Sequence, residues 1–136
     1  MCLAIYISSD NSIPVVNLFK DKIGFYIREL EKHENYVFQN FSKRLAYYLG
    51  SEGCSYGFSM DGIYPDMEEF VDVRETYHLF SNFLREKVES KELEIYACWV
   101  GKESAKPTEY HRIKTSEIAK TDFAFEEGCF YSVDNF

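Results

Sequence analysis

Residues 66 to about 90 constrain the fold more than any other stretch of this chain. Phe70, Val73, Tyr77, Phe80, Leu84 and Val88 recur at steps of three and four, which lines them along one face of an α-helix. Leu79 and Phe83 widen the stripe, so the helix is expected to lie flat on a sheet. Asp66 is positioned as its N-cap, and Glu69, three residues on, completes an acidic capping box. Glu68, Glu69 and Asp72 lead while Arg85 and Lys87 trail, the order that a helix dipole prefers.

The segments around this helix read mostly as strands. Residues 2–8 form a near-continuous run of β-branched and aromatic side chains, which suits a central strand covered on both faces. Residues 15–31 fit either periodicity; Gly24 weakens a helix there, and a strand over about 24–30 is expected. Residues 33–41 read as a short helix with Val37, Phe38 and Phe41 on one side. Strands are expected at 45–49 and 93–100, and the helix between them makes a crossover, so the two should run parallel if they share a sheet. Residues 110–114 read as a short edge strand, Thr115 as the cap of a helical turn to 120, and 129–133 as a last strand.

Composition narrows the function classes. A hydrophobic fraction of 46% and an aromatic fraction of 18% in 136 residues allow one domain, 1–136, with a true core. Twelve Phe and eleven Tyr are more ring surface than a small sheet hides easily, which points to a homodimer face. The net charge of -8 argues against nucleic acid and against acidic membrane surfaces. No apolar run reaches the ~20 residues of a membrane span, and the apolar start lacks a basic flank, so it reads as a strand and not a signal peptide. A cytoplasmic chain is expected, with Cys2, Cys54, Cys98 and Cys129 as reduced thiols. They form no C-x-x-C pair, and the spacing indicates no metal set and no cofactor.

One loop stands out. Residues 50–65 hold Gly50, Gly53, Gly57 and Gly62, four of the seven glycines, without sustained periodicity. Within it, Gly53, Cys54, Ser55, Tyr56, Gly57 and Phe58 form the candidate ligand-binding segment, placed past the carboxyl end of a strand taken as parallel to its neighbour. Gly53 and Gly57 allow close backbone approach, and Cys54 becomes a nucleophile if a base or a helix N-terminus lowers its pKa. The competing assignment is a tight structural loop with an inert cysteine. The loop is not a P-loop: no Gly-Lys-Ser/Thr follows, and the acids Asp61, Asp66, Glu68, Glu69, Asp72 and Glu75 would repel phosphate. Those acids fit no EF-hand spacing and read as a solvated helix start. Cys2 would be an N-terminal thiol if Met1 were removed, but no companion motif supports that chemistry. Trp99 can line a pocket or a dimer face, although core packing is the commoner use.

Four segments, Met1-Cys2-Leu3-Ala4-Ile5-Tyr6-Ile7, Gly53-Cys54-Ser55-Tyr56-Gly57-Phe58, Ala97-Cys98-Trp99 and Glu127-Gly128-Cys129-Phe130-Tyr131, together resemble a family of small bacterial cytosolic proteins of uncharacterised activity. The resemblance spans nearly the whole chain. In that pattern the loop carries a second cysteine where this chain has Tyr56, so a Cys-x-Cys pair is absent here. The resemblance implies no activity; it supports the strands at 24–30 and 45–49.

The sequence therefore predicts one α/β domain, with α+β as the variant: a mixed sheet of about five strands and one long helix across a face. Its expected role is a non-enzymatic interaction or small-ligand-binding module, homodimeric through exposed aromatics. The alternative is a thiol-dependent enzyme or redox sensor acting through Cys54. No general base, metal set or phosphate cradle is complete in the sequence, which favours the first.

Overall fold

The computed structural model describes residues 2–17, 24–51, 58–60 and 62–136. The fold is α+β, a mixed sheet with one long helix across it. The strands are β1 (Leu3–Ser9), β2 (Tyr26–Glu29), β3 (Leu45–Gly50), β4 (Glu92–Trp99), β5 (Glu109–Lys114) and β6 (Cys129–Asp134). They lie in the order β2-β3-β1-β4-β6-β5, six strands where about five were expected. Every pairing is antiparallel except β5 with β6.

β1 is central and buried along its whole length, as its unbroken apolar run requires. Leu3, Ile5 and Ile7 point to one face; Ala4 and Tyr6 point to the other. β3 and β4 flank β1 and are both antiparallel to it. They therefore run parallel to each other, as the crossover predicts, with β1 between them. β5 and β6 need a crossover because they are parallel neighbours. Residues 115–128 supply it, starting with α2 (Thr115–Ile118).

The long helix α1 (Glu68–Lys87) spans 20 residues and buries Val73, Tyr77, Phe80, Ser81 and Leu84 against the first face. Its stripe is the one the periodicity marks, but its start differs. The N-cap is Met67, no side chain caps the first turn, and Asp66 is exposed one residue earlier. The far end has a cap no local pattern reveals. Asn135 Nδ2 lies 2.8 and 3.1 Å from the carbonyls of Leu84 and Val88, at the end where a helix leaves its last carbonyls unpaired, and 3.0 Å from that of Ser90 just beyond.

The second face has lighter cover. The short helix expected over 33–41 is a 3-10 helix, η1 (Lys32–Asn40). With three residues per turn, Glu34 and Val37 share the buried side, while Phe38 turns outward instead of joining Val37. Residue 115 is corrected as well: Lys114 is the N-cap of α2, and Thr115 lies inside the helix, its hydroxyl bonded to Asn135 Oδ1 at 2.8 Å.

Candidate functional site

The sequence places the site in the glycine loop. Gly53, Cys54, Ser55, Tyr56 and Gly57 lie outside the described residues. Phe58 is described, and it is a core residue with no exposed surface. Its ring meets Tyr77 edge-on at 5.3 Å and Phe80 at 5.6 Å. Its carbonyl accepts from the Tyr77 hydroxyl, which in turn accepts from the Phe125 amide at 2.9 Å. Tyr77 thus ties α1 to the chain on both sides. Trp99 is half-buried and packs on the helix-side core. The strand before the loop also differs from expectation. Both neighbours of β3 are antiparallel to it, so the crevice rule for parallel strands does not apply at its end. β3 closes on Gly50, where a Cβ would run into the Tyr26 ring.

A polar cluster lies under η1 on the second face. Arg28 of β2 forms a two-pronged pair with Glu34 at 2.7 and 2.9 Å, and its guanidinium lies 4.2 Å over the Tyr48 ring. The Glu31 amide adds a third bond to Glu34 at 2.8 Å. The Tyr6 hydroxyl stands 3.0 Å from Glu103 and 3.4 Å from Glu34. One proton cannot serve both acceptors at once; the shorter contact assigns it to Glu103, while Glu34 has Arg28. The Gly101 amide is the second donor to Glu103, at 3.2 Å. The backbone near Glu103 is pinned separately, by Asn40 Nδ2 on the Glu103 and Ala105 carbonyls and by the Tyr96 hydroxyl on the Ala105 carbonyl.

The electrostatics of this cluster suit structure, not proton transfer. Burial, and then Glu34 and Glu103, push the Tyr6 hydroxyl far above its ordinary range. Burial also pushes the neighbouring Cys98 thiol up to about 12, with Glu103 and Glu127 adding to it. Burial pulls the Glu34 carboxyl upward, but the Arg28 bonds and the Glu31 amide outweigh it, and the net shift is down. Cys129 is likewise driven up, to about 11, by burial and then by Glu109. A nucleophilic thiol needs the opposite shift. Of the histidines, His33 and His78 are exposed, and His111 lies beside Glu109 with its ring nitrogen within 4.8 Å of the Cys129 sulfur.

At the β5 edge the second face opens to solvent. Tyr110 is 69% exposed and rests against buried Phe130 at 5.5 Å between ring centres. Phe41 meets Phe130 from the other side at 6.0 Å. Arg112, beside Tyr110 on this face, pairs with Asp134 at 3.0 Å. Tyr110 went unremarked in the sequence because a tyrosine in a charged strand carries no local signal of exposure. The cues that find it are the strand order and the alternation of β5. No family model, characterised protein or solved structure matches this chain. Among the described residues, no helix is long and apolar enough to cross a membrane.

Proposed function

We propose that this chain is a non-enzymatic interaction module that self-associates through the outer edge of β5. The observation that carries this is Tyr110, 69% exposed on a strand with no strand neighbour on its outer side among the described residues. An open edge is a ready template for another strand.

The geometry of such a pairing follows from the pleat. Two copies of β5 meeting about a twofold axis normal to the sheet run antiparallel and keep their faces matched, so only residues of equal parity oppose each other. With His111 on the axis, Tyr110 of one copy lies opposite Arg112 of the second. An Arg–Tyr cross-strand contact contributes about 0.5–1 kcal/mol at an exposed site, and the twofold supplies it twice. The ring content of the chain supports a binding role, and burial raises the pKa of Cys98 and Cys129, which speaks against catalysis by those two thiols.

Sedimentation equilibrium tests the proposal. The wild-type chain is expected to dimerise, and Tyr110→Lys, which places a cation opposite Arg112 of the second copy, is expected to shift it to monomer with unchanged circular dichroism. A wild-type monomer at the highest soluble concentration overturns it, as does a dimer indifferent to Tyr110→Lys.

A further inference from the structure

The parallel register of β5 and β6 brings together three side chains that the sequence keeps apart. Glu109 is paired with Cys129, and His111 with Tyr131, so Glu109, His111 and Cys129 share the helix-side face at the sheet's edge. His111 Nε2 lies 3.2 Å from Glu109 Oε2. The Cys129 thiol donates to the same oxygen at 3.4 Å. All three ligand atoms fall within 4.8 Å of one another, the one such convergent group of His, Cys and acid side chains among the described residues.

We propose that Glu109, His111 and Cys129 form a binding site for a single divalent transition-metal ion of the zinc class. Zinc takes carboxylate oxygen and imidazole nitrogen at ~2.0–2.2 Å and thiolate at ~2.3 Å, so a tetrahedral set holds its ligand atoms about 3.3–3.7 Å apart. The Glu109 oxygen is already near that spacing from both partners, at 3.2 and 3.4 Å, and the third pair, His111 with Cys129, lies within 4.8 Å and closes on the ion. Thiolate with imidazole selects zinc, cobalt or iron over the hard ions calcium and magnesium. One carboxylate and one thiolate balance the ion's two charges. On binding, the thiol proton leaves to solvent, and the imidazole carries its proton on Nδ1, freeing Nε2 as the donor atom. Glu109 and His111 are exposed, so the fourth ligand position faces solvent.

The supporting shell is rigid. The His111 ring stacks on Tyr131 at 5.6 Å. The Tyr131 hydroxyl is fixed in turn by the Glu126 amide at 3.0 Å and the Ala124 carbonyl at 3.3 Å. Cys129 follows Gly128, whose φ of 82° places it in a left-handed turn that favours glycine. The Gly128 amide bonds the Ala97 carbonyl at 2.8 Å, and its own carbonyl accepts from the amides of Thr108 and Glu109. Both ligand-bearing backbones are therefore held before an ion arrives, as a precise site requires. All three ligands come from one chain, on the helix side of β5, so the site needs no second copy, although His111 also lies at the axis of the proposed dimer.

Cobalt titration of the chelator-treated, reduced protein is the test, read by the thiolate-to-cobalt charge-transfer band and the tetrahedral d–d bands. The expected result is one equivalent of Co²⁺, displaced by Zn²⁺. Cys129→Ser should abolish the charge-transfer band. His111→Ala should weaken binding about 100-fold or more, since losing even an outer-shell partner costs ~10–100-fold. His111 is exposed, so this variant keeps the test valid even if Cys129→Ser fails to fold. No band with wild type, a band that survives in Cys129→Ser, or an affinity unchanged in His111→Ala each overturns the proposal.

Discussion

Replacing Tyr6 by Phe removes one oxygen from a buried polar cluster and leaves the ring packing intact. Tyr6 is 1% exposed, and its hydroxyl supplies the shorter of the two bonds that reach Glu103. A hydrogen bond to a charged group is worth about 1.5–3 kcal/mol when one partner is lost. Glu103 cannot escape by swinging into water with its loop, because Asn40 and Tyr96 hold the neighbouring carbonyls independently. The loss should therefore sit in the upper half of that range, about 2–3 kcal/mol, or roughly 7–10 °C in Tm for a domain of this size. Urea unfolding at pH 7 measures it, with the m-value as a check that both end states are preserved. A double-mutant cycle with Glu103→Gln isolates the pair, with an expected coupling above ~1 kcal/mol. A Tyr6→Phe loss below ~0.5 kcal/mol, or additivity with Glu103→Gln, refutes the assignment of the hydroxyl proton to Glu103.

Two further outcomes follow from groups already described. The Glu34 carboxyl titrates below its ordinary value of about 4.3 in the folded protein, so its stabilising contribution is complete above that value and is lost as pH falls through the folded pKa; unfolding free energy should drop below about pH 4.5, and Glu34→Gln should flatten that limb while lowering stability at neutral pH. Asn135→Ala strips the C-terminal carbonyls of α1 of their donor and should cost about 2–3 kcal/mol in denaturant unfolding, whereas Asn135→Asp, which aims a carboxylate at the same carbonyls, should cost more.

The candidate sites were legible to different degrees. The acidic stretch at the start of α1 is solvated as local rules have it, with Asp66, Glu68, Glu69 and Asp72 exposed, but the capping box read for Asp66 and Glu69 is not formed. The glycine loop drew notice because glycine spacing is a local signal, yet its assumed setting failed where β3 proved antiparallel to both neighbours. Direction within a sheet depends on which strands become neighbours, and no property of residues 45–58 encodes that. Nothing local marks Cys129 either. Its neighbours in sequence are Gly128 and Phe130, and its chemistry comes from Glu109 and His111, some twenty residues earlier.

By itself, the sequence determined the elements whose forces act over a few residues. The apolar stripe of α1 repeats every three to four positions, and the β-branched runs of β1 and β4 select extended backbone wherever they end up. Only the tertiary structure decided the sheet order, the exposed position of Tyr110, the shared hydroxyl of Tyr6, the cap supplied by Asn135 and the meeting of Glu109, His111 and Cys129. Each of these is a contact between segments far apart in the chain. Strand register fixes such contacts, and a register becomes definite only once both faces of the sheet find something to bury against.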